Sequence, residues 1–218
     1  MKENYFKTDT IDQRSKQFLK EIEPLRDRHR WTFQPAAAAL LVLDMQRYFL
    51  ESGSHAFIPA SQAIVPKILR LQKLFLERHL PVIQTRHVNN ERNAGQMKKW
   101  WRELIAADNP LSFLSTELAD DRTIIITKTR YDAFFASGLD RILGDSGVNQ
   151  LVITGVMTHL CCETTARSAF MRGYDVFFGI DTTATYNSDF HRSSLLNLTH
   201  GFAIPFLEAE IAAAFGGK

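Results

Sequence analysis

The chain has 218 residues, of which 45% are hydrophobic and 23% charged, and its 26 basic and 24 acidic residues leave a formal net charge of +2. That length can bury a sizeable core, and the composition is that of an ordinary globular protein, not a disordered or low-complexity one. So even a charge balance offers no broad field for nucleic acid or an anionic membrane, so neither is expected as a partner and a small-molecule substrate is. The two cysteines, Cys161 and Cys162, are adjacent. That excludes a framework of disulfides closing long loops and fits a reducing compartment. The first residues lead into charge without the apolar core of a signal peptide, and no apolar run approaches the ~20 residues of a membrane span. The expectation is a cytoplasmic protein.

In chain order, residues 1–34 read as an amino-terminal arm that packs on the body or on a neighbouring subunit, and 35–218 as a single domain. Within the arm, Ile11, Phe18, Ile22 and Leu25 mark one face of a helix that Pro24 should end. Ala36 to Leu43 is a continuous apolar run whose Leu-Leu-Val-Leu ending suits a buried parallel strand, with Asp44 at its carboxyl end. From Ser61 to Arg78, Ile64, Ile68, Leu71, Leu74 and Phe75 recur at helical spacing. Pro81 to Thr85 is a second strand, followed by a loop-rich stretch, 86–109, where a lid could form. Thr123 to Thr127 is a third strand with Lys128 just past it. Leu139 to Leu143 is helical, and Leu151 to Thr154 is a strand. A helix then spans Cys161 to Arg172, Tyr174 to Ile180 is a strand ending at Asp181, Phe190 to Leu198 is a helix, and Phe202 to Ile204 is a last short strand. Strands alternating with helices at this spacing predict an α/β fold with a parallel sheet covered on both faces.

In open sheets of that kind ligands bind outside the carboxyl ends of the strands. Asp44, Lys128 and Cys161 each fall at or just past such an end, on three different strands. Cys161 sits near the first turn of a helix, where free N–H groups and the helix dipole favour a thiolate. Lys128 could stabilise that thiolate, and Asp44 could take the thiol proton and return one to a leaving group. Each residue also has a plainer reading. The cysteines could be small buried hydrophobes, and Asp44 with Lys128 a partly buried ion pair. The convergence of all three favours chemistry.

His55, His87, His159 and His191 are scattered, with no His-x-His, Asp-x-His or Cys-x-x-Cys spacing, so no dedicated metal site is expected. Neither Gly-x-Gly-x-x-Gly nor the phosphate-binding Gly-x-x-x-x-Gly-Lys-[Ser/Thr] occurs, so no nucleotide cofactor is expected. Substrate contacts are expected from Phe49, which follows Asp44 closely, from His87 and Trp101 in the variable stretch, from Tyr131 after Lys128, and from His159 before Cys161. For each, packing is an equally available role.

Three segments carry a pattern: Leu41-Val42-Leu43-Asp44-Met45-Gln46, Lys128-Thr129-Arg130-Tyr131-Asp132-Ala133-Phe134, and Gly155-Val156-Met157-Thr158-His159-Leu160-Cys161 through Arg167. In this order they resemble the isochorismatase-like cysteine hydrolases, over about Trp31 to Ile211. The resemblance implies a Rossmann-like parallel sheet, a catalytic triad of Asp44, Lys128 and Cys161, and homo-oligomeric assembly. It also implies a non-proline cis peptide between Val156 and Met157, with the backbone N–H groups of Met157 and Cys161 as an oxyanion hole. Cys162 falls where the family has an apolar residue, which assigns it to packing. In amide-hydrolysing members a thioester forms on the cysteine, and the same C–N chemistry is expected here.

The chain departs from two branches of that family. Nicotinamidase relatives carry an Asp-Trp-His zinc-binding segment where this chain reads Thr85-Arg86-His87-Val88-Asn89. True isochorismatases are similar through Trp31-Thr32-Phe33-Gln34-Pro35, Arg47-Tyr48-Phe49 and Ala169-Phe170-Met171-Arg172, but have glycine where Cys161 stands. The alternatives are therefore vinyl ether hydrolysis with Asp44 as general acid, and a non-catalytic binding protein that keeps the fold.

Overall fold

The computed structural model describes residues 1–29 and 31–216. In chain order its helices and strands are α1 (Ile11–Arg26), β1 (Ala38–Leu43), α2 (Arg47–Leu50), α3 (Ser61–Glu77), β2 (Val82–His87), α4 (Met97–Trp100) and β3 (Ile124–Lys128). There follow α5 (Leu139–Asp145), β4 (Gln150–Val156), α6 (Glu163–Met171), β5 (Asp175–Ala184), α7 (Ser188–Gly201), β6 (Ile204–Phe206) and α8 (Glu208–Gly216). The carboxyl end of the expected 35–218 domain, at Lys218, lies outside the described residues, as does Arg30 in the arm.

The six strands form one parallel sheet in the order β3-β2-β1-β4-β5-β6. Every residue of β1 is buried, as its unbroken apolar run requires of a strand covered on both faces. The chain turns one way from β1 to β2 and the other way to β4, so the crevice at the end of β1 is the sheet's topological switch point. Register brings the site together there. Leu43 pairs with Thr85 on β2 and with Gly155 on β4, while His87 pairs with Lys128 on β3. Asp44, His87, Lys128 and Met157 therefore leave the sheet along one edge. Gly155 permits the close approach of β1 and β4: its φ is +108°, and a Cβ there would meet the Leu43 carbonyl oxygen at 2.1 Å.

Several expected boundaries move. Pro24 stands exposed in the last turn of α1, which continues to Arg26. Ile11, Phe18 and Ile22 of that helix are buried against α7, β5 and β6, with Leu25 only half-buried. Lys128 is the last residue of β3 and not the first beyond it. β5 runs on to Ala184, because Asp181 lies inside the strand, 2.9 Å from the Lys67 ammonium of α3 and accepting the Glu208 N–H at 2.8 Å. β6 begins at Ile204, and α8 was not expected at all. Among the described residues no helix is long and apolar enough to cross a membrane.

Candidate active site

Asp44 follows β1 directly, in the left-handed region at φ 51°, a conformation that aspartate tolerates better than most residues. Its carboxylate is fully buried and is fixed by its neighbour on β2. The Thr85 hydroxyl donates to Oδ1 at 2.6 Å and accepts the Asp44 N–H at 3.0 Å. The second oxygen faces Lys128, whose Nζ is 2.8 Å from Oδ2 with neither side chain reached by solvent. Lys128 comes from the edge strand, so its side chain crosses the end of β2 to arrive at Asp44. On the way its ammonium donates to the carbonyls of Arg130 at 2.8 Å and Tyr131 at 3.4 Å. It also stands 3.3 Å from His87 Nδ1 and 3.3 Å from Cys161 Sγ.

Cys161 enters from the other side of Asp44. The peptide between Val156 and Met157 is cis, and a π-helical turn, Thr158–Cys162, then precedes α6. Cys161 thus lies in that turn and not in the first turn of an α-helix as expected. The surroundings of the sulfur act against a thiolate. Burial first, and the Asp44 carboxylate second, push the Cys161 thiol up to about 12 against the pull of Lys128. A buried sulfur beside a carboxylate rests protonated, whatever the helix dipole favours. Burial opposes the charge on Lys128, but the Asp44 carboxylate outweighs it and holds the ammonium above its ordinary value. Cys162 is fully buried in the core behind the turn.

His87 ends β2 with its ring buried. Burial, reinforced by Lys128, lowers it to about 4, so it is a neutral imidazole near pH 7. Asp44, His87 and Cys161 offer donor atoms within 4.8 Å of one another. The cation on which these donors converge is the Lys128 ammonium itself, in contact with all three. A divalent ion there would meet like charge at contact distance, so this donor set does not fit a metal while Lys128 keeps its place.

Beside Cys161 opens a cavity of about 80 Å³, walled by the rings of Tyr48, Phe49, Trp101, Tyr131 and Tyr186. Its polar lining is His55, His87, Asn89 and Glu103. Of the residues expected to touch a substrate, Phe49, His87, Trp101 and Tyr131 line this space, and the Trp101 indole N–H donates to the Tyr131 hydroxyl at 2.6 Å. His159 is not among the lining residues. Its Nδ1 lies 2.6 Å from the Thr185 hydroxyl, and its ring stacks on Phe190 with centroids 4.4 Å apart. Thr85, Tyr48, Tyr186 and Glu103 were not foreseen. Thr85 could have been found from its place opposite the end of β1 and Tyr48 from the Arg47-Tyr48-Phe49 segment, whereas Tyr186 and Glu103 come from segments with no pattern of their own.

The Isochorismatase domain family matches residues 38–210, most of the chain. The chain belongs to this family. It is 35% identical over 171 residues to Nicotinamidase 3 of Arabidopsis thaliana, an alignment covering 76% of this chain and 82% of that protein. Enterobactin synthase component B of Escherichia coli K12 is 33% identical over 168 residues, or 76% of this chain and 59% of its own length. In three dimensions the chain resembles a cysteine hydrolase from Pseudomonas syringae pv. phaseolicola 1448A, with a TM-score of 0.82 at 25% identity, covering 86% of this chain and 96% of the other. The isochorismatase family therefore accounts for the six-stranded α/β fold, and the proteins similar to this chain include one named a nicotinamidase and one named an isochorismatase.

Proposed function

We propose that this family member hydrolyses a C–N bond of a small amide or ureido compound through a thioester on Cys161. The observation that carries the reading is the Lys128 ammonium seated between the Asp44 carboxylate and the thiol of Cys161, which lines the cavity. Because the thiol rests protonated, Asp44 acts first as general base and takes the S–H proton as sulfur attacks the carbonyl carbon. Lys128 stays charged throughout and balances whichever of sulfur or carboxylate is anionic. The backbone N–H groups of Met157 and Cys161 receive the developing oxyanion. When the C–N bond breaks, Asp44 passes its proton to the departing nitrogen, and an acyl thioester remains on Cys161. Water then attacks that carbonyl, losing a proton to Asp44, and the proton returns to sulfur as the acid leaves.

The name of the Arabidopsis relative, a nicotinamidase, supports amide chemistry. The name of the family, Isochorismatase, supports a second reading, isochorismatase-type vinyl ether hydrolysis with Asp44 as acid and an idle thiol. Paired variants separate the two. On the first reading Cys161→Ala abolishes turnover of a panel of small amides and ureides, and on the second it leaves isochorismate turnover intact while Asp44→Asn removes it. A homo-oligomeric state, a cytoplasmic setting and the division into a 1–34 arm and a 35–218 catalytic domain go with this reading as proposals.

A further inference from the structure

The walls of the cavity carry a charge pattern that bears on what it admits. Glu103 is the one Asp, Glu, Lys or Arg side chain among its lining residues. Its Oε1 accepts the Tyr48 hydroxyl at 2.8 Å and lies 3.0 Å from His55 Nδ1, while its Oε2 has no hydrogen-bonding partner among the described residues. The side chain is 49% exposed and lines the cavity, so the carboxylate is within reach of an incoming group. The remaining walls mix aromatic rings with aliphatic side chains, and the aromatic faces attract cations. No lysine or arginine lines the space to receive an anion. Lys2, which touches two lining residues, does so through the His55 carbonyl at 2.5 Å and the Tyr186 ring at 4.7 Å, and is not itself part of the lining. Lys128 is taken up by Asp44, and His87 is neutral. A carboxylate-bearing ligand entering here would lose water and meet Glu103, and the one lining side chain that could carry a positive charge to answer it, His55, is already turned to Glu103.

We propose that Glu103 sets the substrate class: the pocket selects small amides that carry a protonated nitrogen at the end away from the scissile bond, and it rejects carboxylates. This rests on the C–N reading above for the chemistry at Cys161, but the charge preference belongs to binding and is measured without turnover. Tyr48 and His55 orient the carboxylate through one oxygen and leave the other for the ligand. An exposed carboxylate that is pre-oriented in this way contributes mainly to discrimination between ligands.

The test uses three probes of one size: meta-aminomethylbenzamide, meta-toluamide and meta-carboxybenzamide. Their affinities are measured by calorimetry on Cys161→Ala protein, where no bond can be broken through sulfur. The ammonium compound is expected to bind about tenfold more tightly than the neutral one, and the carboxylate more weakly than both. Adding Glu103→Gln should bring the first two within about twofold, whereas Glu103→Asp should keep their order. Glu103 is half exposed, so both variants are expected to fold, and thermal melts check this. A carboxylate probe that binds as well as the ammonium probe, an affinity ratio unchanged by Glu103→Gln, or no binding of any probe at millimolar concentration would each overturn the proposal. Turnover by wild type is scored separately. Charge-selective binding with no cleavage of any amide counts against the C–N reading and leaves the assignment of Glu103 standing.

Discussion

Lys128 and Asp44 form an ion pair at 2.8 Å that solvent does not reach. A buried charge left without its partner costs about 3–5 kcal/mol, whereas removing both charges costs far less. Asp44→Asn and Lys128→Met should therefore each destabilise the fold by about 3–5 kcal/mol in urea melts, and the double variant should recover a large part of that loss. Additive losses would show that the two groups do not depend on each other.

The same pair acts on the thiol with opposite signs. On top of the rise that burial imposes, Asp44 raises the Cys161 thiol further and Lys128 lowers it. Asp44→Asn should accelerate alkylation of Cys161 by iodoacetamide near neutral pH, even as it removes turnover, and Lys128→Met should slow alkylation. The rates are read by peptide mass spectrometry, which separates Cys161 from its neighbour Cys162. Slower alkylation in Asp44→Asn would contradict the electrostatics.

Thr85 holds the carboxylate by a 2.6 Å hydrogen bond to Oδ1 and is itself fully buried. Thr85→Val keeps the shape of the side chain and removes the donor, leaving a charged oxygen under-satisfied at about 1.5–3 kcal/mol. Urea melts should show a loss of that size. On the proposed mechanism kcat should fall by about tenfold or more with little change in KM, because the base is misaligned and the pocket is not.

Acid should weaken the fold in a defined window. Burial, then Lys128, holds His87 at about 4, and burial holds His191 at about 3. Unfolded histidine binds its proton near 6.5. Between those values the unfolded chain binds protons that the native chain does not, so stability is fully present above about 6.5 and falls as pH drops toward 4. Each histidine contributes a slope of about 1.4 kcal/mol per pH unit. Urea midpoints across this window should track that slope, and His191→Asn should reduce it.

The elements that carry the site were legible because each signal was local. The apolar run ending at Asp44, the β-branched run before Lys128 and the Leu-Val-Ile run ahead of the cysteines all became neighbouring or near-neighbouring parallel strands. Parallel register then brought their ends together. What could not be read was set by distant packing. The expected thiolate followed from a helix start, but the thiol is governed by burial and by a carboxylate from a strand more than a hundred residues earlier. Asp181 marked a strand end in sequence and proved to be inside β5, because Lys67 from another helix neutralises it there. Glu103 and Tyr186 reach the cavity from segments without periodicity, so only the fold assigns them to it.

The central claim is that Cys161 attacks the substrate. Intact-protein and peptide mass spectrometry of wild type, quenched during turnover of a small amide it cleaves, should find an acyl group on Cys161 and none on Cys162. Cys161→Ala should show neither adduct nor turnover. Amide turnover that survives in Cys161→Ala would contradict the account.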